Sequence, residues 1–207
     1  MLVVCWSPKG GVGTSVVAAT LALQSAADGA ETLLVDLAGD QTDLLGLGGP
    51  VVGVGEWLAA GEEVPVDALA ALECPVTDRL RLLPRGAAFS EDRLPVLGAV
   101  LGRSTRRVVV DAGLGPIPHG FGTGTVSVLV LRACYLALRR VGTVPRTTRV
   151  VLIEEPGRAL GARDVAAAIG VEPWVCVTAD PAVCRTVDAG LLATRRPRSL
   201  RPLRLDR

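Results

Sequence analysis

The sequence predicts an α/β fold that consists of a mostly parallel sheet with helices on both faces. Short apolar runs of strand length alternate along the chain with segments that have the apolar spacing of helices. Parallel strands need a crossover connection between them, and a helix supplies one. The alternation therefore favours a parallel sheet over an antiparallel one.

The first elements carry the clearest signals. An apolar run over 2–6 predicts a buried strand, and a glycine-rich loop follows it. Small and apolar residues over 15–27 predict a helix that packs closely on the sheet and ends at an Asp-Gly pair. A second strand is predicted over 32–36, and it ends in an acidic residue.

The middle of the chain is less regular. Residues 37–55 are rich in Gly and Asp, which predicts a loop or broken turns. Short helices are predicted over 56–60 and 66–72. The alternation then resumes with a strand over 80–83 and a helix over 90–101.

The second half continues the alternation. A strand over 107–111 also ends in an acid, and a loop rich in Gly and Pro covers 112–124. The last predicted elements are strand 126–131, helix 133–141, strand 150–153, helix 162–169 and strand 174–178. Ligands of such sheets bind at the carboxyl ends of the strands. We therefore expect residues 7–15, 36–40, 111–115 and 178–181 to converge on one site.

Length and composition limit the classes of protein. The 207 residues, 49% of them hydrophobic, suit one domain over 1–194, which an Arg- and Pro-rich tail follows over 195–207. No window of about 18 residues is apolar and free of charges and glycine clusters, which argues against a membrane span. The start lacks the basic region of a signal peptide, so a cytoplasmic location is expected.

The five cysteines are widely spaced and form no C-x-x-C pair. This pattern argues against a disulfide framework and against a zinc site. We expect the cysteines to be small buried hydrophobic residues.

The charge distribution draws attention to one loop. The net charge of +1 gives no overall attraction to nucleic acid or anionic lipid. Of the 22 basic residues, 21 are Arg, and the single lysine, Lys9, lies in the first glycine-rich loop. A compact ammonium on a flexible stem binds differently from a planar guanidinium.

That loop, over 8–15, lies between the first strand and the first helix, where a glycine-rich loop can hold phosphate groups. Glycines let the backbone N–H groups turn inward, and the helix N-terminus adds partial positive charge. The Ser15 hydroxyl lies where Mg²⁺ takes a ligand. The general pattern G-x-x-x-x-G-K-[ST] is broken twice, by Pro8 at the first glycine and by Thr14 at the lysine.

The loop closely resembles the deviant Walker A motif K-G-G-x-x-K-[ST] of the ParA/MinD family of P-loop ATPases, with Lys-Gly-Gly-Val-Gly over 9–13. Residues 33–36 and 108–111 resemble the family's switch I and Walker B strands, and 112–115 stand in the switch II position. Residues 179–183 and 188–190 are similar to the family's late segment, whose loop contacts adenine. The resemblance covers nearly the whole chain and implies ATP and Mg²⁺ as cofactors.

The resemblance also implies roles for individual residues. Lys9 is the signature lysine, which in the family reaches across a two-fold dimer interface to the partner's phosphates, and Lys9 and Asp36 are assigned to catalysis. Asp111 holds the Mg²⁺ shell through water, and Asp36 lies beside the metal, as does Ser15. The implied nucleotide-binding residues are Lys9, Gly10, Gly11, Val12, Gly13, Thr14, Ser15, Asp180 and Pro181.

Departures from the family predict weak catalysis. Thr14 replaces the lysine that meets the β- and γ-phosphates, and Ala38 replaces the second switch I acid, with Asp40 two residues away. Single cationic groups at such a site contribute factors of roughly 10³ or more to phosphoryl transfer. At most slow hydrolysis is expected, with nucleotide binding retained. The CpaE/TadZ branch also lacks this lysine, and the chain is placed nearest to it.

Simpler interpretations remain beside these. The glycine loop can be a turn that binds nothing, and Asp36 and Asp111 can be caps or solvated strand ends. His119 has no triad partner in the sequence and is interpreted as a loop residue. The residues over 154–156, Glu-Glu-Pro, stand where family members often carry an adenine-reading Asn, which leaves the base open.

The tail over 195–207 has six arginines and one Asp. It is interpreted as a solvated end or as a contact with DNA phosphate or acidic lipid. Pro197 and Pro202 interrupt any long amphipathic helix, so DNA or a protein partner is favoured over stable membrane anchoring.

The favoured hypothesis is an ATP-dependent switch that forms a homodimer and positions a protein assembly such as a pilus, secretion or cell-division apparatus. A partition ATPase that binds DNA non-specifically through Arg-rich patches is the second hypothesis. A nucleotide-free scaffold of the same fold is the third.

Overall fold

An eight-stranded sheet runs through the protein in the computed structural model, which describes residues 1–48, 52–61, 65, 67–122, 124–142 and 144–206. The strands are β1 (Leu2–Ser7), β2 (Thr32–Asp36), β3 (Cys74–Thr77), β4 (Leu80–Leu83), β5 (Arg107–Leu114), β6 (Thr125–Arg132), β7 (Arg149–Glu154) and β8 (Pro173–Thr178). Their order across the sheet is β3-β4-β2-β5-β1-β6-β7-β8. The β3–β4 pair is antiparallel and the other pairs are parallel, which confirms the predicted α/β class.

Helices connect the parallel strands. They are α1 (Thr14–Ala27), α2 (Gln41–Leu44), α3 (Val54–Ala59), α4 (Ala68–Ala71), α5 (Leu94–Gly102), α6 (Tyr135–Val141), α7 (Ala162–Ile169) and α8 (Pro181–Asp188), with a 3₁₀ turn at Arg198–Leu200. The predicted bounds of β2, β4 and α7 are confirmed residue for residue. The predicted start of the helix before β3, Val66, lies outside the described residues.

Two predicted bounds are wrong for identifiable reasons. Helix α5 begins at Leu94 rather than at residue 90, and Pro95 occupies its first turn, where a missing N–H costs nothing. Strand β5 continues to Leu114, past its predicted end at Asp111, because Ser7 at the end of β1 still pairs with it there.

Three elements were not predicted. Helix α2 lies within the predicted loop over 37–55. Strand β3 is a four-residue edge strand whose hairpin partner is β4. The sequence does contain an N-terminal helix signal for α8. The Asp180 side chain accepts from the backbone N–H of Ala182, and Pro181 occupies the first turn.

The sheet has a core on each face. Helix α1 covers one face, where Val3 packs with Leu21 and Leu203, so leucines of the Arg-rich tail belong to this core. Helices α3 and α5 cover the opposite face around β2 and β5. Helices α6 and α7 form a third cluster against β6 and β7. The carboxyl end of β1 is thereby fixed between two buried neighbours, β5 and β6.

The cysteine prediction is correct for Cys5, which is buried, and wrong for Cys176 and Cys184, which are exposed. The two exposed cysteines lie on the edge strand β8 and on α8, where fewer elements cover the sheet. Within the described ranges, no helix has the length and apolar character needed to cross a membrane.

Candidate phosphate-binding site

The loop between β1 and α1 has the backbone that a phosphate loop needs. Gly11 and Gly13 have φ values of +72° and +99°, a region that side chains enter only with strain. A Cβ placed on Gly10, Gly11 or Gly13 would meet nothing within 4 Å. Gly13 is the N-cap of α1, and the first turn of α1 has no acidic side chain and no side-chain cap. The positive end of α1 therefore faces open space.

This open space is a cavity of about 800 Å³. It is lined by the glycine loop, by the loop after β2, by the end of β5 and by two arginines, Arg85 and Arg132. Three of the four segments that were expected to converge therefore do so. The fourth, over 178–181, is not among the described lining residues, although Val187 of α8 is.

Asp111 is buried next to the lining residue Ala112, at the same level as Asp36 on the neighbouring strand, and neither acid is among the described lining residues. The Asp111 carboxylate is buried and accepts 2.7 Å from the Gln41 side-chain amide, which also donates 3.0 Å to the Ser15 carbonyl oxygen. Gln41 is fully buried, and its Oε1 has no partner among the described residues. Gln41 thus ties α2 to β5 and to the start of α1.

Burial raises the pKa of Asp111 to about 6, and the nearby negative charge of Asp36 adds to the rise. Hydrogen bonds from Gln41, Ser15 and the Gly113 backbone N–H oppose it. A cation beside this carboxyl would favour its ionised form.

Asp36 organises its own loop. One carboxylate oxygen accepts from the backbone N–H groups of Ala38 and Gly39 at 3.0 and 2.6 Å, and the other accepts from Gln41 at 3.0 Å. Burial raises the pKa of Asp36, while these backbone bonds act against the rise. The geometry thus gives Asp36 a capping contact, and its metal and catalytic roles stay predictions.

Asp40 is the acid that contacts Ser15. The Ser15 hydroxyl donates 3.0 Å to Asp40 Oδ2, and both residues line the cavity. The displaced position of Asp40 in the sequence therefore still reaches the site, because the loop after β2 turns back toward α1. Sequence reasoning noticed Asp40 but missed Gln41, whose burial has no sequence signal inside a predicted loop.

The donor set suits Mg²⁺ bound together with phosphate. Within the described residues, no group of three or more His, Cys, Asp or Glu side chains could hold a metal alone. Mg²⁺ prefers oxygen ligands and is commonly held by one or two carboxylates plus substrate phosphates. Ser15 and Asp40 supply oxygens of this kind at one edge of the cavity, and the buried Asp111 carboxylate lies next to Ser15.

Basic residues surround one carboxylate on the other side. Glu155 accepts from Arg132 at 2.8 Å and from Arg158 at 2.7 Å. These two guanidinium groups and the charge of Lys9 hold the pKa of Glu155 below its ordinary value. The Lys9 ammonium is exposed, lies 3.5 Å from the Gly10 carbonyl oxygen and is not among the described lining residues.

The remaining predicted residues lie apart from the cavity or beneath it. Val12 is buried in the core under the loop, whereas Thr14 is buried but still lines the cavity. Asp180 caps α8 and accepts 2.8 Å from the Ser199 hydroxyl, which ties α8 to the C-terminal tail. His119 is exposed in the loop between β5 and β6.

Comparisons with known proteins extend this description. No protein-family model matches the chain, and no curated protein matches it. Solved structures do match, over nearly the whole length. A ParA family ATPase from Chlorobium tepidum TLS has a TM-score of 0.78 at 17% identity, covering 98% of this chain and 96% of its own.

Two further structures are similar. The septum site-determining protein MinD from Pyrococcus horikoshii OT3, complexed with Mg-ADP, has a TM-score of 0.72 at 17% identity, covering 98% of this chain and 92% of its own. A chain of the MinC:MinD cell division complex from Aquifex aeolicus has a TM-score of 0.71 at 19% identity, with coverages of 92% and 86%. The fold of this chain is therefore that of the ParA/MinD ATPases.

Proposed function

We propose that this chain is a ParA/MinD-like switch protein that binds ATP with Mg²⁺ at the cavity above the glycine loop. The observation that carries the proposal is the open space over Gly10, Gly11 and Gly13 at the uncapped N-terminus of α1. Backbone N–H groups and the helix dipole at such a position favour a phosphate anion. A structural turn has no need of so much open space.

The acidic edge of the cavity completes the ligand chemistry. Ser15 and Asp40 line the cavity and would hold Mg²⁺ directly, with the buried Asp111 holding its shell through water; the ion would neutralise charge on the phosphates. The MinD structure from P. horikoshii, which is complexed with Mg-ADP, supports a magnesium-bound nucleotide as the ligand. The base is left open, because Glu154 and Glu155 stand where an adenine-reading Asn is expected.

Hydrolysis is slow in this proposal. Thr14 carries no charge, and Ala38 carries no carboxylate to position water. The Asp36 oxygens are engaged by three backbone N–H groups. The chain therefore keeps the backbone groups that bind phosphate. It lacks side chains that stabilise the transition state of phosphoryl transfer.

Nucleotide binding promotes a two-fold homodimer in this proposal. Lys9 is half-buried, but its ammonium is exposed next to the lining residue Gly10, and it would reach across to a partner's phosphates in this dimer. Leu114 on the cavity wall is 66% exposed, and Tyr135 at the start of α6 is 67% exposed. Exposed apolar side chains of this size favour association. The dimer would position another protein assembly, a role supported by the MinC:MinD complex.

A partition ATPase that binds DNA is the second candidate, and the tail favours it. Leu200, Leu203 and Leu205 are buried in the core, so the arginines between them are held at fixed positions. Arg201 and Arg204 line a second cleft of about 520 Å³ on the outer side of α1. Retardation of random duplex that weakens as salt rises would favour this candidate, and no retardation at low salt would exclude it.

The test of the first proposal is calorimetric titration with Mg-ATP, followed by light scattering with and without nucleotide. We expect saturable binding and a nucleotide-dependent rise from monomer to dimer mass. Lys9→Ala should keep binding and lose the dimer if the lysine acts in trans. No binding and no rise of the thermal midpoint at millimolar Mg-ATP would leave only the nucleotide-free scaffold.

A further inference from the structure

The two arginines on the cavity wall differ in how their donors are used. Arg85 donates to the Leu37 carbonyl oxygen, and its guanidinium stacks 4.1 Å from the centre of the Phe89 ring. Arg132 pairs through Nη1 with Glu155, while its buried Nε has no hydrogen-bond partner in the described part of the chain. A guanidinium has five N–H donors in a planar fork. Because Glu155 engages only Nη1 and the side chain is 36% exposed, Arg132 retains donors that a ligand can engage.

The sheet places Arg132 beside the glycine loop. Strand β6 runs parallel to β1, and Leu129 is in register with Trp6. Arg132 lies three residues past Leu129, as Lys9 lies three residues past Trp6. Arg132 therefore leaves the sheet at the level of the loop, and its side chain lines the same cavity as Gly10 and Thr14.

We propose that Arg132 supplies, from the end of β6, the phosphate-binding positive charge that Thr14 cannot supply from the glycine loop. This inference rests on the proposed binding of a nucleoside triphosphate and names a phosphate-binding residue that the sequence motif does not contain. The guanidinium matches phosphate oxygens in a bidentate geometry, which a lysine does not.

Glu155 positions the arginine and leaves the site positive. The Arg132 side chain lines the cavity and is 36% exposed, and its partner Glu155 is 22% exposed. Arg158 occupies the other carboxylate oxygen, and Lys9 adds its charge nearby. Glu155 is thus shared between Arg132 and Arg158 and cannot neutralise Arg132 fully, so Arg132 keeps positive charge that favours a polyphosphate over a neutral ligand.

The test compares the dissociation constant for Mg-ATP of the wild type with those of two variants, each of which loses one arginine charge. Arg132→Ala should weaken binding about 10- to 100-fold, the usual size of a charge-assisted hydrogen bond. Arg158→Ala is the matched control, because Arg158 also pairs with Glu155 but is not among the described lining residues. It should change the affinity by less than about threefold.

A rescue variant separates charge replacement from a structural role. Thr14→Lys restores the usual P-loop cation, so the Thr14→Lys/Arg132→Ala double variant should recover most of the lost affinity. Failure of this rescue in a folded double variant would overturn the proposal. If Arg132→Ala lacks a cooperative thermal transition, Arg132→Gln, which keeps a donor for Glu155, takes its place.

Inorganic tripolyphosphate tests which part of the ligand Arg132 meets. A similar fold-loss for tripolyphosphate and ATP supports contact with phosphate, and a loss confined to ATP overturns it. Equal Mg-ATP affinity in wild type and Arg132→Ala also overturns this inference while the proposed function stands. A wild-type chain that binds no Mg-ATP overturns the proposed function itself.

Discussion

Two groups of residues next to the cavity, the acidic side (Asp36, Gln41 and Asp111) and the basic side (Arg132, Glu155 and Arg158), are constructed differently. On the acidic side, Asp36, Gln41 and Asp111 are fully buried and bonded to one another or to backbone. On the basic side, Arg132, Glu155 and Arg158 form partly exposed ion pairs. Losing a hydrogen-bond partner costs a buried polar group considerable free energy, because water cannot replace the partner. An exposed ion pair loses little free energy when it breaks, because water solvates both groups. The acidic side is therefore a fixed part of the fold, and the basic side can rearrange around a ligand.

The largest expected effect is the pH dependence of Asp111. Its pKa is about 6 in the folded chain, above the ordinary 3.8 of the unfolded one. Between pH 3.8 and about 6, Asp111 is therefore protonated in the folded state and ionised in the unfolded state. The stability from this group is present below the unfolded pKa and is lost as pH rises through about 6, by about 3 kcal/mol.

Asp111→Asn removes this titration and keeps the shape of the side chain. The free energy of unfolding of wild type minus that of the variant should therefore fall between pH 3.5 and 7, as measured by urea denaturation. Asp111→Asn also removes the repulsion between Asp111 and Asp36, so the difference reports the titration of the coupled pair. A difference that stays flat with pH would show that the acidic side does not bury Asp111 as described.

Gln41→Ala should have the next largest effect. It removes the donors to Asp111 and to the Ser15 carbonyl oxygen in a fully buried position. We expect a loss of about 1–3 kcal/mol in the free energy of unfolding. Gln24→Ala, at an exposed pair with Asp28, is the control and should cost less than about 0.5 kcal/mol. Similar losses in both would mean that the acidic side is no more rigid than the surface.

The same contrast explains what the sequence could predict. The strands and α1 were predictable because continuous apolar runs and the glycine loop follow from local composition. The predicted meeting of the loops after β1, β2 and β5 followed from parallel pairing alone. Gln41 and Arg132 were not predictable, because their importance depends on which distant atoms surround them. Strand β3 was too short and too close to an edge for a clear pattern.

Asp36 and Asp40 provide a paired test within one loop. Asp36→Asn places an amide among three backbone donors, so it should reduce stability by about 1–2 kcal/mol. Asp40→Asn keeps an acceptor for Ser15 but loses its charge. It should leave the free energy of unfolding unchanged. It should raise about tenfold the Mg²⁺ concentration at which nucleotide binding is half-maximal. Titration with Mg²⁺ at fixed ATP measures this, and the reverse pattern would restore Asp36 as the acid beside the metal.

Glu155→Gln should have the smallest effect on stability. It breaks the ion pairs with Arg132 and Arg158, but both guanidinium groups remain accessible to water. We expect a change below about 1 kcal/mol, which shrinks further as salt rises. A loss comparable to that of Gln41→Ala, measured in the same denaturation series, would mean that the basic side is also a fixed part of the fold. Arg132 would then be held too firmly to move toward a phosphate group.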